Sequence, residues 1–289
     1  EKDVEERGSK LKKVFLSFVK PQNLFTTSCV IIAVIIFGGT AFPLFGGLFF
    51  KDASVTPIAF YDYSFGIFGI LVLLCLAVCP GLFSGRKILL IPGSIIGIAT
   101  LIILIAFFDY GYLTIVSLAV CAMLAVNFFI EFIRNYKKVF TNTRFASFLL
   151  LHMALLLMAL GFTGSRGMFY SSEKMLNKND TLEIHEYSVK YRNLYWKEEV
   201  GKTTAVAVIG VSGPKGKLQL KPELSYYQKK NITHSRAIVK AGIWEDLYII
   251  FEGLDENDGM LIKVMVLRWV SLVWIGSILM IAGVIMLYV

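Results

Sequence analysis

One histidine stands out among the residues that could do chemistry, because it lies inside a run of apolar residues. His152 sits in the middle of the run 148–156, Phe-Leu-Leu-Leu-His-Met-Ala-Leu-Leu. No side chain at i±3 or i±4 can bond to it, and burying an unpaired polar group costs about 1–3 kcal/mol. An ionisable residue within a membrane span is by default a functional site, and imidazole suits haem iron as an axial ligand. Two interpretations stay open from the residues alone: a cofactor ligand, or a histidine hydrogen-bonded to a neighbouring helix.

The other candidate groups favour structural roles. His185 and His234 have no second histidine, cysteine or carboxylate at a recurring metal-ligand spacing. We expect Glu131, one turn after Asn127, to pair with Arg134 at the end of a helix. The cysteines all lie in apolar runs and form no Cys-x-x-Cys, which excludes a dithiol redox pair and a c-type haem attachment motif: Cys29, Cys75, Cys79 and Cys121.

Whole classes of function are disfavoured by what the sequence lacks. It contains no P-loop, no nucleophile with a matched base and no carboxylate pair, which argues against an ATPase or a hydrolase. The net charge of +8 comes from short segments beside the apolar runs, where basic residues set orientation in a membrane. Since no basic patch with interleaved aromatics is present, we expect no nucleic-acid partner.

The apolar runs that contain His152 and the four cysteines have the length and composition of membrane spans. Of the 289 residues 56% are hydrophobic and 17% charged, against about 25% charged in soluble proteins. The mean hydropathy is +0.67. Crossing the hydrocarbon core takes about 20 apolar residues, and six stretches qualify: 24–49, 63–83, 88–108, 112–133, 145–163 and 265–289. The sequence therefore predicts a polytopic α-helical membrane protein of six helices, with His152 in the fifth.

Basic residues predict the orientation. Twelve Lys and Arg lie in the segment before residue 21 and in the loops after the second and fourth helices, whereas the alternate short loops hold Lys51 alone. By the positive-inside rule, both termini face the cytoplasm of a multi-pass cell-membrane protein.

The segment between the fifth and sixth helices is then outside the membrane and reads as a small all-β domain. Alternating runs predict strands at 181–191, 203–211, 217–220, 236–240, 246–251 and 260–267, with turn signals at 212–216 and 255–259. The expected organisation is a charged cytoplasmic segment 1–23, a five-helix membrane domain 24–163, an extracytoplasmic β domain 164–263 and a sixth helix 264–289. Asn179 and Asn231 head glycosylation sequons, whose use depends on the source organism.

From Pro21 onwards the sequence resembles the C-terminal half of the CcmF family, a haem-handling subunit of the cytochrome c maturation (System I) haem lyase. Seven stretches carry the likeness in the same order. They are 39–44 (Gly-Thr-Ala-Phe-Pro-Leu), 54–57 (Ser-Val-Thr-Pro), the histidine-containing span 144–162, the strand 181–187, 221–227 (Lys-Pro-Glu with Tyr-Tyr), 246–248 (Asp-Leu-Tyr) and the closing span 268–283.

The resemblance implies a role for His152. In the family, the histidine of this span is one axial ligand of a membrane b-type haem that passes electrons from quinol to the haem being attached. The implied activity is that of a haem lyase, or quinol:haem oxidoreductase, complex that reduces haem and delivers it to the cysteine thiols of apocytochrome c. The implied partners are the haem chaperone CcmE, a CcmH-type thiol oxidoreductase, apocytochrome c and the lipid bilayer.

The sequence departs from the family in one respect. The family's tryptophan-rich WWD segment, its flanking haem ligands and the second b-haem ligand lie in its N-terminal half, whereas the four tryptophans here are scattered and no other intramembrane histidine exists. We therefore expect either a separate WWD-containing membrane chain that shares the haem, or a fragment, and no activity of the isolated chain. The alternative is a cofactor-free membrane assembly scaffold or transporter subunit, in which His152 is a packing residue.

Overall fold

The computed structural model describes residues 21–49, 58–83, 88, 90–214, 216–229, 231–256 and 258–288. Its helices are α1 (Pro21–Phe49), α2 (Ile58–Phe83), α3 (Leu90–Phe107), α4 (Tyr112–Arg134), the short α5 (Tyr136–Thr141), α6 (Thr143–Gly167) and α7 (Val270–Tyr288). Among these residues six helices, all except α5, are long and apolar enough to cross a membrane. Ten strands lie between α6 and α7. The predicted fold class, six membrane helices with a β domain between the fifth and the sixth, is confirmed.

Two of the predicted boundaries are wrong by several residues. Helix α6 continues to Gly167, past the expected end at residue 163, and α7 begins only at Val270, not at 264 or 265. Residues 264–268 instead complete the last strand, in which alternate side chains are buried. An apolar run cannot by itself distinguish a buried strand from a helix, so the last residues of the strand were predicted as part of the helix. The charged segment 1–20, Lys51, Arg86 and Lys87, on which the predicted orientation partly rests, lie outside the described residues.

The chain divides into two compact units, of which one is formed by Glu1–Leu160 with Ile275–Val289 and the other by Gly161–Trp274. The described part of the first unit is helical. Its apolar core joins α2, α4 and α6 through a cluster of buried side chains: Leu73, Leu76, Ala77, Val120, Cys121, Leu124 and Leu156. Because lipid tails are as apolar as these side chains, close packing and buried polar contacts must hold the helices together.

Small residues provide that close packing. Gly93 lies against the side chain of Asn127, and Gly97 lies against Met123 and the carbonyl of Ala119, so these two glycines of α3 bring this helix close to α4. Gly276 of α7 makes an equivalent approach to α6. A Cβ at this position would lie 2.7 Å from the carbonyl oxygen of Ala154 and 2.6 Å from Cγ of Met158.

The second unit contains a β sandwich and the adjoining ends of α6 and α7. Its strands are β1 (Tyr170–Leu176), β2 (Thr181–Ile184), β3 (Tyr187–Glu199), β4 (Lys202–Gly213), β5 (Gly216–Leu220), β6 (Glu223–Tyr227), β7 (Ile232–Arg236), β8 (Ile238–Lys240), β9 (Glu245–Leu254) and β10 (Met260–Arg268). One sheet has the order β1-β10-β9-β8, and the other the order β2-β3-β4-β6-β7 with β5 paired to β4. Alternate side chains of both sheets, among them Val189, Ile209, Phe251 and Ile262, form one buried core.

The predicted run 181–191 is a hairpin of two strands, and β1, β6 and β7 were not predicted. His185 and Glu186 form the turn between β2 and β3, and His185 has a φ of 51°. The buried positions change phase at this turn, from Leu182 and Ile184 to Tyr187 and Val189. A continuous strand buries every second residue without interruption. The change from even to odd buried positions therefore indicates two strands joined by a turn.

Replacement of Gly276 by alanine tests the contact between α6 and α7. We expect Gly276→Ala to lower the free energy of unfolding by about 1–3 kcal/mol, because the new methyl meets backbone atoms that cannot rotate away. Gly69→Ala is the matched control, since a Cβ there meets no atom within 4 Å, and alanine in a helix is favoured over glycine by about 0.5–1 kcal/mol. The measurement is thermal unfolding in one detergent. Equal midpoints for the two variants contradict the packing.

Candidate functional site

His152 faces the interior of the helical unit. It shares a face of α6 with Leu156 and Ala159, one and two turns further along, and both of these pack in the cluster with α2 and α4. Helix α7 contacts a different face, through Ala154 and Met158. Only 8% of the histidine is exposed. The imidazole is therefore surrounded by protein atoms.

One nitrogen of the imidazole is paired within its own helix. Nδ1 lies 2.8 Å from the carbonyl oxygen of Phe148, and because a carbonyl can only accept, Nδ1 carries the proton and donates it. The Phe148 ring lies against the imidazole, with 4.0 Å between ring centroids. The pattern of side chains does not predict this bond, because the acceptor is a backbone atom one turn away.

The second nitrogen of the imidazole, Nε2, is buried and is not hydrogen-bonded to any of the described residues. With the proton on Nδ1, Nε2 of the neutral ring presents a lone pair. Histidines that bind metals almost always have this arrangement, in which the other ring nitrogen donates to a carbonyl or carboxylate and fixes the orientation of the ring. His152 therefore has the donor atom, the tautomer and the support of a metal ligand.

The surroundings restrict the kind of metal that fits. Within the described residues no group of three or more His, Cys, Asp or Glu side chains could hold an ion. A single imidazole among apolar groups suits a metal that brings its own equatorial ligands, as haem iron does. The residues present thus fit an axial ligand of haem better than a site for a free metal ion.

Asn127 is a second buried polar residue in the helical unit. Its Nδ2 donates to the carbonyl oxygen of Ala77 at 2.8 Å, which joins α4 to α2, and only 3% of the residue is exposed. The expected pair between Glu131 and Arg134 is wrong, because Glu131 Oε1 instead accepts a hydrogen bond of 2.7 Å from Asn135. This bond lies at the end of α4, where Glu131 has a structural role.

The other two histidines lie in the β sandwich. His234 is exposed on β7, paired with Ser225 of β6. His185 belongs to a polar group at the turn between β2 and β3. Its ring stacks on Tyr170 with 4.3 Å between centroids, and Nη2 of Arg268 donates to its Nε2 at 3.2 Å. Glu245 is 3.9 Å from the same nitrogen. Strands far apart in sequence bring these residues together, so their spacing gave no sign of the group.

No family model matches the chain, but its sequence and its fold are each similar to those of a known protein. The first is the cytochrome c-type biogenesis protein CcmF of Escherichia coli (strain K12), 27% identical over 135 residues, which are 46% of this chain and 21% of that protein. The second is the structure of a cytochrome c heme lyase CcmF, with a TM-score of 0.66 and 16% identity over 93% of this chain and 46% of that one.

These similarities confirm the resemblance predicted from the sequence motifs. At 16% identity the solved structure shows the shared fold, which extends over almost the whole of this chain. The chain spans less than half the length of either protein, which is consistent with a C-terminal half.

Tyr187 lies beside Glu245 in the β sandwich. The ionisation of its hydroxyl makes the free energy of unfolding depend on pH, which tests this contact. Burial, a hydrogen bond to Glu245 and the nearby carboxylates raise the pKa of Tyr187 to about 12, whereas an exposed tyrosine has a pKa near 10. Between these values the folded state binds more protons, so this contribution to stability is complete below about pH 10 and is lost as the pH rises towards 12.

We therefore expect the free energy of unfolding of Tyr187→Phe to fall less steeply than that of the parent between about pH 10 and 12. Denaturant titrations in one detergent measure the free energy of unfolding of the parent and of the variant. The range below about pH 9 is the internal control, because there Tyr187 keeps its proton in both the folded and the unfolded state. Identical slopes above pH 10 contradict the assignment.

Proposed function

We propose that the chain is the C-terminal component of a CcmF-like cytochrome c haem lyase complex, in which His152 is an axial ligand of a membrane b-type haem. The observation that carries the proposal is the imidazole itself. Its Nδ1 is fixed to the carbonyl of Phe148, and its Nε2 is buried without a hydrogen-bond partner among the described residues. The similarity to two proteins named CcmF supports the choice of haem and of cytochrome c biogenesis.

The chain's own part in this function is to hold and tune the ligand. Donation from Nδ1 to a carbonyl keeps the ring neutral and oriented, and makes Nε2 more basic. Apolar neighbours such as Leu156 exclude water and lower the local dielectric, which tunes a reduction potential. When bound, the haem supplies one-electron chemistry. Because Nε2 is buried, ligation would require neighbouring side chains to move aside.

The remainder of the complex follows from what this chain lacks. No second histidine lies in the described helices, so a second protein ligand for the haem would come from another part of the lyase, which we assign to a WWD-containing membrane chain. The β sandwich, joined to helices at both ends, is the surface we assign to docking of a haem chaperone of the CcmE type, a CcmH-type thiol oxidoreductase and apocytochrome c. The chain alone is then inactive, and the complex reduces haem and delivers it to cysteine thiols.

The spectrum of the complex tests the ligand. We expect His152→Ala, co-purified with the WWD-containing chain, to weaken haem retention by at least about tenfold, since loss of an outer-shell partner alone costs about 10–100-fold in metal affinity. The reduced-minus-oxidised difference spectrum measures this as loss of the b-type bands.

His185→Ala is the matched control, because His185 lies on the β sandwich and its loss leaves the b-type bands in place. Undiminished bands in His152→Ala contradict the proposal. They favour instead the cofactor-free scaffold or transporter subunit, in which His152 is a packing residue, as its contact with Phe148 also allows.

The positive charges support an orientation with both termini in the cytoplasm and the sandwich outside. Two exposed lysines on opposite sides test it: Lys217 on β5 and Lys138 in α5. In a background with the native cysteines replaced, we expect a membrane-impermeant thiol reagent to label Lys217→Cys in intact cells and to label Lys138→Cys only after lysis. The reverse result excludes this orientation.

A further inference from the structure

The loop between β8 and β9, residues 241–244, presents two large apolar side chains to the surroundings. Ile243 is 71% exposed and Trp244 is 70% exposed. Exposed apolar side chains side by side mark a surface that contacts another apolar phase. This loop, called the anchor loop below, belongs to the same compact unit as the first residues of α7.

Hydrogen bonds fix the anchor loop to the beginning of α7. Oγ of Ser271 lies 2.6 and 2.7 Å from the carbonyl oxygens of Gly242 and Ile243, and its single proton is shared between these two acceptors. The backbone N–H of Trp269 donates to the carbonyl oxygen of Trp244 at 2.8 Å. The loop therefore stays level with residues 269–271.

A further bond stiffens the anchor loop from the side of the sandwich. The buried carboxylate of Asp246, at the start of β9, accepts from the backbone N–H of Gly242 at 2.8 Å. The backbone groups of the loop are thus bound from both sides, and the side chains of Ile243 and Trp244 are held outward.

The start of α7 sets the height of this loop. The apolar span Val270–Tyr288 begins just after the strand that ends at the charged Arg268. A charged side chain is costly inside the hydrocarbon core and stays at or beyond its edge. The start of the span therefore marks one edge of the hydrocarbon, and the loop bonded to Trp269 and Ser271 lies at the same edge.

We propose that the anchor loop inserts Trp244 and Ile243 into the lipid headgroup layer and so fixes the height of the β sandwich above the bilayer. The layer outside the hydrocarbon is about 5–8 Å thick on each side. Tryptophan is enriched there because its ring is apolar and its N–H can bond to headgroups. Phe169, two residues after the end of α6, and Trp274, near the start of α7, are also exposed apolar side chains.

Quenching of tryptophan fluorescence tests this contact. The full chain is reconstituted in phosphatidylcholine nanodiscs, with or without lipid brominated near the start of its acyl chains, and with or without aqueous iodide. Trp244→Phe is compared with the parent, so that the emission missing from the variant is that of Trp244. Trp196→Phe is the matched control, because Trp196 is 55% exposed on β3, in the sandwich.

The difference in emission between the parent and each variant is the emission of the replaced tryptophan. We expect bromolipid to quench the emission of Trp244 and not that of Trp196. Two results would overturn the proposal. If iodide but not bromolipid quenches the emission of Trp244, the loop lies in water. If neither quenches it, protein covers the loop. Unchanged circular dichroism of both variants confirms that the fold is retained.

Discussion

A membrane interior supplies no water to satisfy a polar group, and His152 is a side chain on which this constraint acts. In α6 the carbonyl of Phe148 accepts the helical N–H of residue 152 and also the proton of Nδ1, which uses both of its lone pairs. One half of the imidazole is thus satisfied at no cost to the helix. Nε2, buried and unpaired among the described residues, has nothing left to bond with in its own helix. A group of this kind costs about 1–3 kcal/mol unless a ligand or an acid occupies it.

The packing of the helices keeps His152 in that position. Leu156 joins its face of α6 to α2 and α4, and Asn127 ties α4 to α2 through a bond to Ala77. On the opposite side Gly276 lets α7 approach the backbone of α6 closely. In lipid such contacts replace the hydrophobic effect as the force that joins helices. The same helix continues to Gly167, so the element that orients the histidine also carries one end of the β sandwich.

The sequence predicted those features that depend on the bulk character of a segment, and missed those that depend on single contacts. Six long apolar stretches suffice to predict six spans, because length and hydrophobicity alone decide whether a helix crosses a bilayer. The hairpin at His185 was missed although Leu182 and Tyr187 show the change of phase. The bond from His152 to the carbonyl of Phe148, and the group of Tyr170, His185 and Arg268, could not be predicted, because the first involves a backbone atom and the second joins distant strands. The resemblance to CcmF and the cost of burying an unpaired imidazole rest on different features of the sequence, and both point to His152.

Rescue by free imidazole tests the assignment of His152 most directly. In the complex with the WWD-containing chain, His152→Gly removes the ring and leaves a space of its shape beside Phe148. If Nε2 is the axial ligand, the b-type bands of the difference spectrum are lost in the variant and return when imidazole is added. If the bands of the variant equal those of the parent without imidazole, His152 does not bind the haem iron.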